Sequence, residues 1–255
     1  MVKSKKRISY YFRGIAIIFF LLLIWEFSVR FHLIDIMVLP LPSEVIKKGF
    51  LLFLSKDIYL NFLNTFWNWV FSLILGMVIG LILGFLSGVN NKFEQYTLPI
   101  TAFIRSIPPI ALFPVFLILL GPGNIPIISV SLITVIIYIF PITNQATISV
   151  RAKYLDLSKI LKLTKKQFMF TIVIPGTIIS SLVSSRLAAS FAFAICIAGE
   201  ILIGAGHGIG SAILEYSEKY LLEEAYFYIL VAGFLGLTID LFFSVIQNRV
   251  SLKNQ

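Results

Sequence analysis

Long apolar runs separated by short polar stretches dominate this chain. Six runs stand out, at about 11–31, 66–89, 98–120, 125–147, 172–203 and 226–247. Each is about 20 residues or more, enough for a helix to cross the hydrocarbon core of a bilayer. The pattern predicts an all-α membrane protein with about six transmembrane helices. They form a single transmembrane domain over 1–255, with its core at about 60–250. The first run has a basic flank (Lys3, Lys5, Lys6, Arg7), as a signal peptide would. No small-residue cleavage site follows, so a retained helix is expected.

Composition narrows the function classes. Hydrophobic residues make up 58% of the chain, charged residues only 13%, and the mean hydropathy is +0.96. A soluble domain is roughly a quarter charged. That deficit excludes an ordinary soluble enzyme, a disordered chain and a free nucleic-acid binder. The net charge of +9 is explained by where the cations lie. With the N-terminus inside, fifteen of the 21 Lys and Arg fall in inner segments, five in outer ones, and Arg186 lies within a span. This bias predicts an N-in, C-in topology. The basic charge is then a topology signal; the expected surroundings are a lipid bilayer, with no nucleic acid. One cysteine, Cys196, and two histidines support neither a disulfide framework nor the usual metal site.

The connections differ in kind. Segment 32–65 lies outside and contains Leu39-Pro40-Leu41-Pro42-Ser43-Glu44, with Ser43 a plausible N-cap for a short amphipathic helix. Gly121-Pro122-Gly123-Asn124 makes a tight outer turn, and 204–225 pairs a glycine-rich stretch with an acidic helix. Within the membrane, Gly76, Gly80, Gly84 and Gly88 share one helix face. Small residues there let a second backbone approach, either within the chain or at a subunit interface. The third run is broken by Pro108-Pro109 and again by Pro114, giving a simple kink or a discontinuous helix lining a transport path. Few ionisable groups lie in spans: Glu26, Arg186, Glu200 and Asp240. Arg186 needs a partner such as Asp240 or Glu26, or else faces water or an anionic substrate. Glu200 falls near the outer interface.

The inner segment 151–171 is the least expected feature. Leu155, Leu157, Ile160, Leu161 and Leu163 alternate with Asp156, Ser158, Lys159 and Lys162, and the basic turn Thr164-Lys165-Lys166-Gln167 follows. It is either a docking element for a cytoplasmic partner or a helix resting on anionic headgroups. The segment resembles the EAA loop of binding-protein-dependent ABC transporter permeases. Asp156-Leu157-Ser158 occupies the triplet, Lys162 the glycine position, and Ile174-Pro175-Gly176 the closing residues. A left-handed lysine costs about 1–2 kcal/mol. The alternative is a helix that runs on through Lys162 and turns at Thr164. Further stretches resemble the nitrate/sulfonate/taurine-type permeases in the same order: Leu39–Ser43, Asn64-Thr65 with the glycine ladder, and Arg105-Ser106-Ile107-Pro108-Pro109. Gly121-Pro122-Gly123, Ala198-Gly199-Glu200 and Gly208-Ile209-Gly210 complete the series.

The resemblance implies a type I ABC importer permease, MetI-like in architecture, in a bacterial or archaeal cytoplasmic membrane. It implies three partners: a cytoplasmic P-loop ATPase dimer, an extracytoplasmic solute-binding protein and a second permease copy, most simply an identical one. The chain would carry no cofactor and no catalytic residue, ATP and Mg²⁺ belonging to the ATPase; it has no Gly-x4-Gly-Lys-Ser/Thr loop of its own. Leu155 to Ser158 and Ile160 to Lys165 would couple to the ATPase. Arg105, Pro108, Pro109, Pro114, Arg186 and Glu200 would be candidates for the translocation path. The implied substrates are a nitrate-, sulfonate- or taurine-like anion, or a metabolite such as a thiamine precursor or riboflavin. Rival classes are a secondary transporter, an assembly factor and a membrane-embedded enzyme. The last lacks support, since His32 and His207 lie far apart in sequence.

Overall fold

A computed structural model describes residues 17, 19–183, 185–204 and 206–252. The basic N-terminal flank, the start of the first expected span, Ser184 and Lys253 lie outside the described residues. Every element among the described residues is helical. Helix α1 covers 19–30. The others are α2 (Pro42–Leu52), α3 (Lys56–Val89), α4 (Asn91–Ser106), α5 (Phe113–Leu120), α6 (Asn124–Ile160), α7 (Lys165–Phe168), α8 (Ile174–Val183), α9 (Ser185–Ile203), α10 (Ile209–Glu218) and α11 (Leu222–Leu252). The lysine-rich end of the bundle is referred to as inner.

Five helices are long and apolar enough to cross a bilayer, and the bent α4–α5 pair makes a sixth candidate. Two of the five run in series along α6. Gly176 of α8 packs on Val150, while Ser131 Oγ donates to the Ala192 carbonyl of α9 at 3.0 Å. They therefore share one crossing, the one expected over 172–203.

The centre of the bundle is a parallel pair, α3 and α6. A Cβ added at Gly76 would lie 2.6 Å from Val135 Cβ, and one at Gly84 would lie 2.5 Å from the Phe140 carbonyl oxygen. Gly80 and Gly88 meet Ile139 and Thr147 in the same way. All four glycines thus face a helix of their own chain. Lipid is as apolar as leucine, so what holds this pair is close packing made possible by missing side chains. Helix α9 closes the core from the side. Its Ala188, Ala189, Ala192 and Cys196 are fully buried against α3 and α6, and Trp69 Nε1 donates to the Ala189 carbonyl at 2.9 Å.

The boundaries depart from hydropathy in two places. Helix α3 starts at Lys56, ten residues before the apolar run at 66. Its first turns carry Asn61, Thr65 and Asn68, which lower hydropathy, yet all three are buried. Helix α6 does not stop at 147; it continues to Ile160, 37 residues in all and about 55 Å long. No glycine or proline interrupts 148–160, so nothing ends the helix at the membrane.

The outer N-terminal segment is tied down by α1. Trp25 Nε1 donates to the Pro40 carbonyl at 3.0 Å. Ser43 is not an N-cap: α2 begins at Pro42, whose missing N–H suits the first helical position. Ser43 instead donates through its backbone N–H and its hydroxyl to Glu26, at 3.1 and 2.9 Å. Glu26 also pairs with Arg30, so it is not the partner of Arg186.

The glycine contact predicts an asymmetric response. Gly84→Leu must displace backbone of α6 and should destabilise the bundle by about 1–3 kcal/mol or more. Gly233→Leu on α11, where an added Cβ meets nothing within 4 Å, should change little. Thermal unfolding of both proteins in nanodiscs checks this; equal stability would remove α3–α6 packing as the organising contact.

Candidate functional site

The inner end of α6 forms an elbow. The helix stops through backbone bonds: Leu161 N–H donates to Leu157 at 3.0 Å, Lys162 N–H to Lys159 at 3.1 Å and Leu163 N–H to Ser158 at 2.9 Å. This is a Schellman ending, which requires a left-handed residue at the position Lys162 holds. Lys162 has φ +50°, so the turn stays where the glycine would be and does not move to Thr164. Thr164 starts the next helix instead. Its hydroxyl accepts from Gln167 N–H at 3.2 Å, and Gln167 Oε1 accepts from Thr164 N–H at 2.9 Å. The Thr-x-x-Gln spacing is a capping-box signature legible in the sequence. A π-helical turn, Met169–Val173, then leads into α8.

The elbow presents apolar side chains to its surroundings. Ile160 is 77% exposed, Leu161 57% and Leu157 43%, with Leu155 exposed beside them. Ser158 is buried, bonded to the Leu155 carbonyl at 2.6 Å, and Asp156 pairs with Lys159 at 2.9 Å on the polar side. Leu163 is half-buried, and Lys165 is exposed at the start of α7. Arg151 anchors the elbow to the bundle by donating to the Gly88 and Val89 carbonyls, at 2.7 and 3.1 Å, at the end of α3.

At the outer end, polar groups that are scattered in sequence converge. Asn61, Thr65 and Asn68 line one face of α3; the first two meet the start of α10 and the third meets Glu200 of α9. That helix opens at Gly208 with no side-chain cap of its own. Three successive backbone amides are met by other elements. Gly208 N–H donates to Asn61 Oδ1 at 3.0 Å, Ile209 N–H to Thr65 Oγ1 at 2.9 Å and Gly210 N–H to Glu200 Oε2 at 2.9 Å. The Thr65 hydroxyl in turn donates a hydrogen bond to Glu200 Oε2 at 2.8 Å, and Asn68 Nδ2 donates to Oε1 at 3.4 Å. Glu200 is completely buried. A carboxylate at a helix N-terminus meets both unsatisfied N–H groups and the positive end of the dipole. Glu200 is therefore not at the interface; it caps α10 from another helix.

Glycines make room for this cap. A Cβ at Gly208 would fall 2.6 Å from the Glu200 carboxyl carbon, and one at Gly210 would fall 2.3 Å from the Ile197 carbonyl oxygen. Asn64 extends the network, donating to the His207 carbonyl and accepting from Asn124 Nδ2 at 2.7 Å. Asn64-Thr65, the 121–124 turn, Ala198–Glu200 and Gly208–Gly210 are thus one cluster. Reading the residues singly missed Asn61, Asn68 and Tyr228, whose hydroxyl accepts from Asn61 at 3.2 Å. The spacing of Asn61, Thr65 and Asn68 on one helical face was the available signal.

The bend between α4 and α5 is 88°. Pro108 and Pro109 lie at the break, and Pro109 opens a short 3₁₀ turn. Pro114 does not break the span again, because it sits in the first turn of α5, where no N–H is needed. Arg105, in the last turn of α4, lines a cleft of about 570 Å³ with Tyr138, Pro141, Gln145, Ser149 and Ser180. Arg186 lies elsewhere in function: its guanidinium holds both carboxylate oxygens of Asp240 in a fork. Arg105, Arg186 and Glu200 therefore do not form one constellation.

Two substitutions test these geometries. Glu200→Ala leaves the Gly210 N–H and the Thr65 hydroxyl without an acceptor and should cost about 3 kcal/mol, while Glu200→Gln should cost less. Lys162→Gly should stabilise the elbow by about 1 kcal/mol. Unfolding temperatures in nanodiscs measure both; a neutral Glu200→Ala would contradict the capping role, and a destabilised Lys162→Gly the left-handed turn.

The family model described as binding-protein-dependent transport system inner membrane component matches residues 76–253. Among curated proteins, the nitrate import permease protein NrtB of Synechocystis sp. is 31% identical over 60% of this chain and 55% of its own length. The bicarbonate transport system permease protein CmpB of the same organism is 30% identical over 60% of this chain and 55% of its own length. The matched region thus spans about half the length of these relatives. Among solved structures, the inward-facing MetNI methionine ABC transporter aligns with a TM-score of 0.63 at 18% identity, covering 77% of this chain and 99% of that one. An amino acid ABC transporter crystallised with histidines also gives 0.63, at 16% identity, covering 76% and 93%. These structures share the fold, a MetI-like arrangement of membrane helices. The chain belongs to the family of binding-protein-dependent transport system inner membrane components.

Proposed function

We propose that this chain is the permease subunit of an ATP-driven importer. It forms the membrane path for a small solute delivered by an external binding protein. A separate P-loop ATPase dimer, carrying ATP and Mg²⁺, docks on the elbow around Leu157–Lys165, and a second copy of the permease completes the path. Residues 151–171 face the cytoplasm in this reading.

The observation that carries it is the elbow. An apolar tip (Leu157, Ile160, Leu161) stands exposed at the end of a helix that overshoots the membrane. Solvated connections between spans do not need such a tip; a groove on a partner does. The tip is also mechanically joined to the core. Helix α6 runs from the elbow to the Gly88 and Gly84 contacts at Thr147 and Thr143 before it meets Pro141, so displacement of its inner end moves that part of the core pair. The π-turn at Met169–Val173 supplies a compliant point on the return strand of the elbow. ATP works on this device only by binding one arrangement of the ATPase better than the other. The nitrate and bicarbonate relatives support a small solute as cargo. No chemical step is assigned to this chain.

The double variant Leu157→Glu/Ile160→Glu tests the docking. Loss of two apolar anchors should weaken ATPase association about tenfold or more, and ATP-dependent uptake should fall with it, while insertion and stability stay normal. Undiminished association would overturn the docking assignment. Uptake that persists without any ATPase and collapses with the ion gradient would favour a secondary transporter.

A further inference from the structure

Arg105, which the charge count places among the inner cations, falls instead within the bent α4–α5 candidate span, and it is held differently from Arg186. Arg186 is neutralised by Asp240. Arg105 is exposed, lines the cleft at the α4–α5 bend, and makes no hydrogen bond or ion pair with any described residue. Its depth follows from its neighbours. The cleft is lined by α6 from Tyr138 to Ser149 and by Ser180 and Leu187 of α8 and α9. It lies between the outer cluster at Asn124 and Glu200 and the inner anchor at Arg151. A guanidinium at this level cannot face hydrocarbon without a large cost; it needs water or an anion.

The rest of the lining agrees with this. Gln145 and Ser149 are exposed polar residues of α6, whose Thr143, Asn144 and Thr147 are turned into the bundle, and Tyr138 and Ser180 border the same space. Among the described residues, no carboxylate lines the cleft. Arg105 does sit at the C-terminal end of α4, where a cation complements the dipole. That makes the charge tolerable there but leaves its N–H donors unused. An uncompensated guanidinium with amide and hydroxyl donors around it is a binding surface for a small oxyanion, which a planar guanidinium can grip through two parallel hydrogen bonds.

We infer that the Arg105–Gln145–Ser149 cleft is an anion-selective station on the transport path, taking small oxyanions. The inference rests on the permease reading and adds to it the residue that selects charge. The cleft, at about 570 Å³, is roomier than one small anion needs, so the ion passes with water and binds weakly, with an affinity of about millimolar. Arg105 supplies the charge, while Gln145 and Ser149 supply neutral donors. Cations are rejected by the same uncompensated charge.

The test uses the purified full-length chain in nanodiscs. NMR line broadening of [¹⁵N]nitrate and [¹³C]bicarbonate, with [¹⁵N]ammonium as the cationic control, reports weak binding directly. The expected result is saturable broadening of at least one anion and none of ammonium. Affinity should fall about tenfold or more in Arg105→Gln and be partly kept in Arg105→Lys. No saturable anion binding to the folded wild type, or equal binding by Arg105→Gln, would overturn the inference. Should Arg105→Gln fail to fold, Gln145→Leu takes its place, with about threefold weaker binding expected and unchanged binding as the overturning result. ATPase co-purification is scored on the same proteins. An ATPase retained without anion binding sinks the station and leaves the permease reading standing.

Discussion

The close approach of α3 and α6 is the constraint on which the rest of the structure depends. In water, burying apolar surface would hold two such helices together. In lipid that drive is absent, and contact distance is what remains. Four glycines at a spacing of four remove the side chains that would keep the backbones apart. The parallel direction of the pair matters as much. It forces the intervening segment to return through the membrane, and that segment carries the 88° bend where Arg105 lies.

Both ends of this pair are fastened by polar groups, for different reasons. At the outer end, Asn61 and Thr65 of α3 meet the first two amides of α10, and Glu200 of α9 supplies the acceptor for the third. Each bond replaces water that a buried helix end cannot reach, so the cluster costs little only because it is complete. At the inner end, Arg151 of α6 takes the last carbonyls of α3. Helix α6 then runs on past the membrane. The elbow is consequently an extension of a core helix, and a force applied there reaches the Gly88 and Gly84 contacts at Thr147 and Thr143 before α6 meets its internal proline, Pro141.

Sequence patterns revealed the spans well, because a bilayer imposes one length and one polarity on every crossing helix. They failed where a polar residue was buried or a helix outlasted the membrane. Asn61 and Thr65, among the ten residues of α3 that precede the apolar run, helped to hide them, since hydropathy treats a satisfied buried polar group like an exposed one. Glu200 could be placed near the outer end, but its partners come from α3 and α10 and only the fold brings them together. The need of Arg186 for a counter-charge, and Asp240 as one of two candidates, followed from the cost of a bare charge in lipid. Choosing between Asp240 and Glu26 required knowing that Ser43 and Arg30 occupy the latter. Lys162 shows the reverse case. A lysine argues against a left-handed turn by about 1–2 kcal/mol, yet the backbone bonds of the helix ending prevail.

The central claim is that this chain works as the membrane half of a machine whose motor docks on its elbow. The most direct measurement is purification of the intact chain from its own host in mild detergent, with identification of what accompanies it. The account predicts a P-loop ATPase in stoichiometric amount, and an exported solute-binding protein recoverable with it. A stable, folded preparation that carries neither would contradict the account.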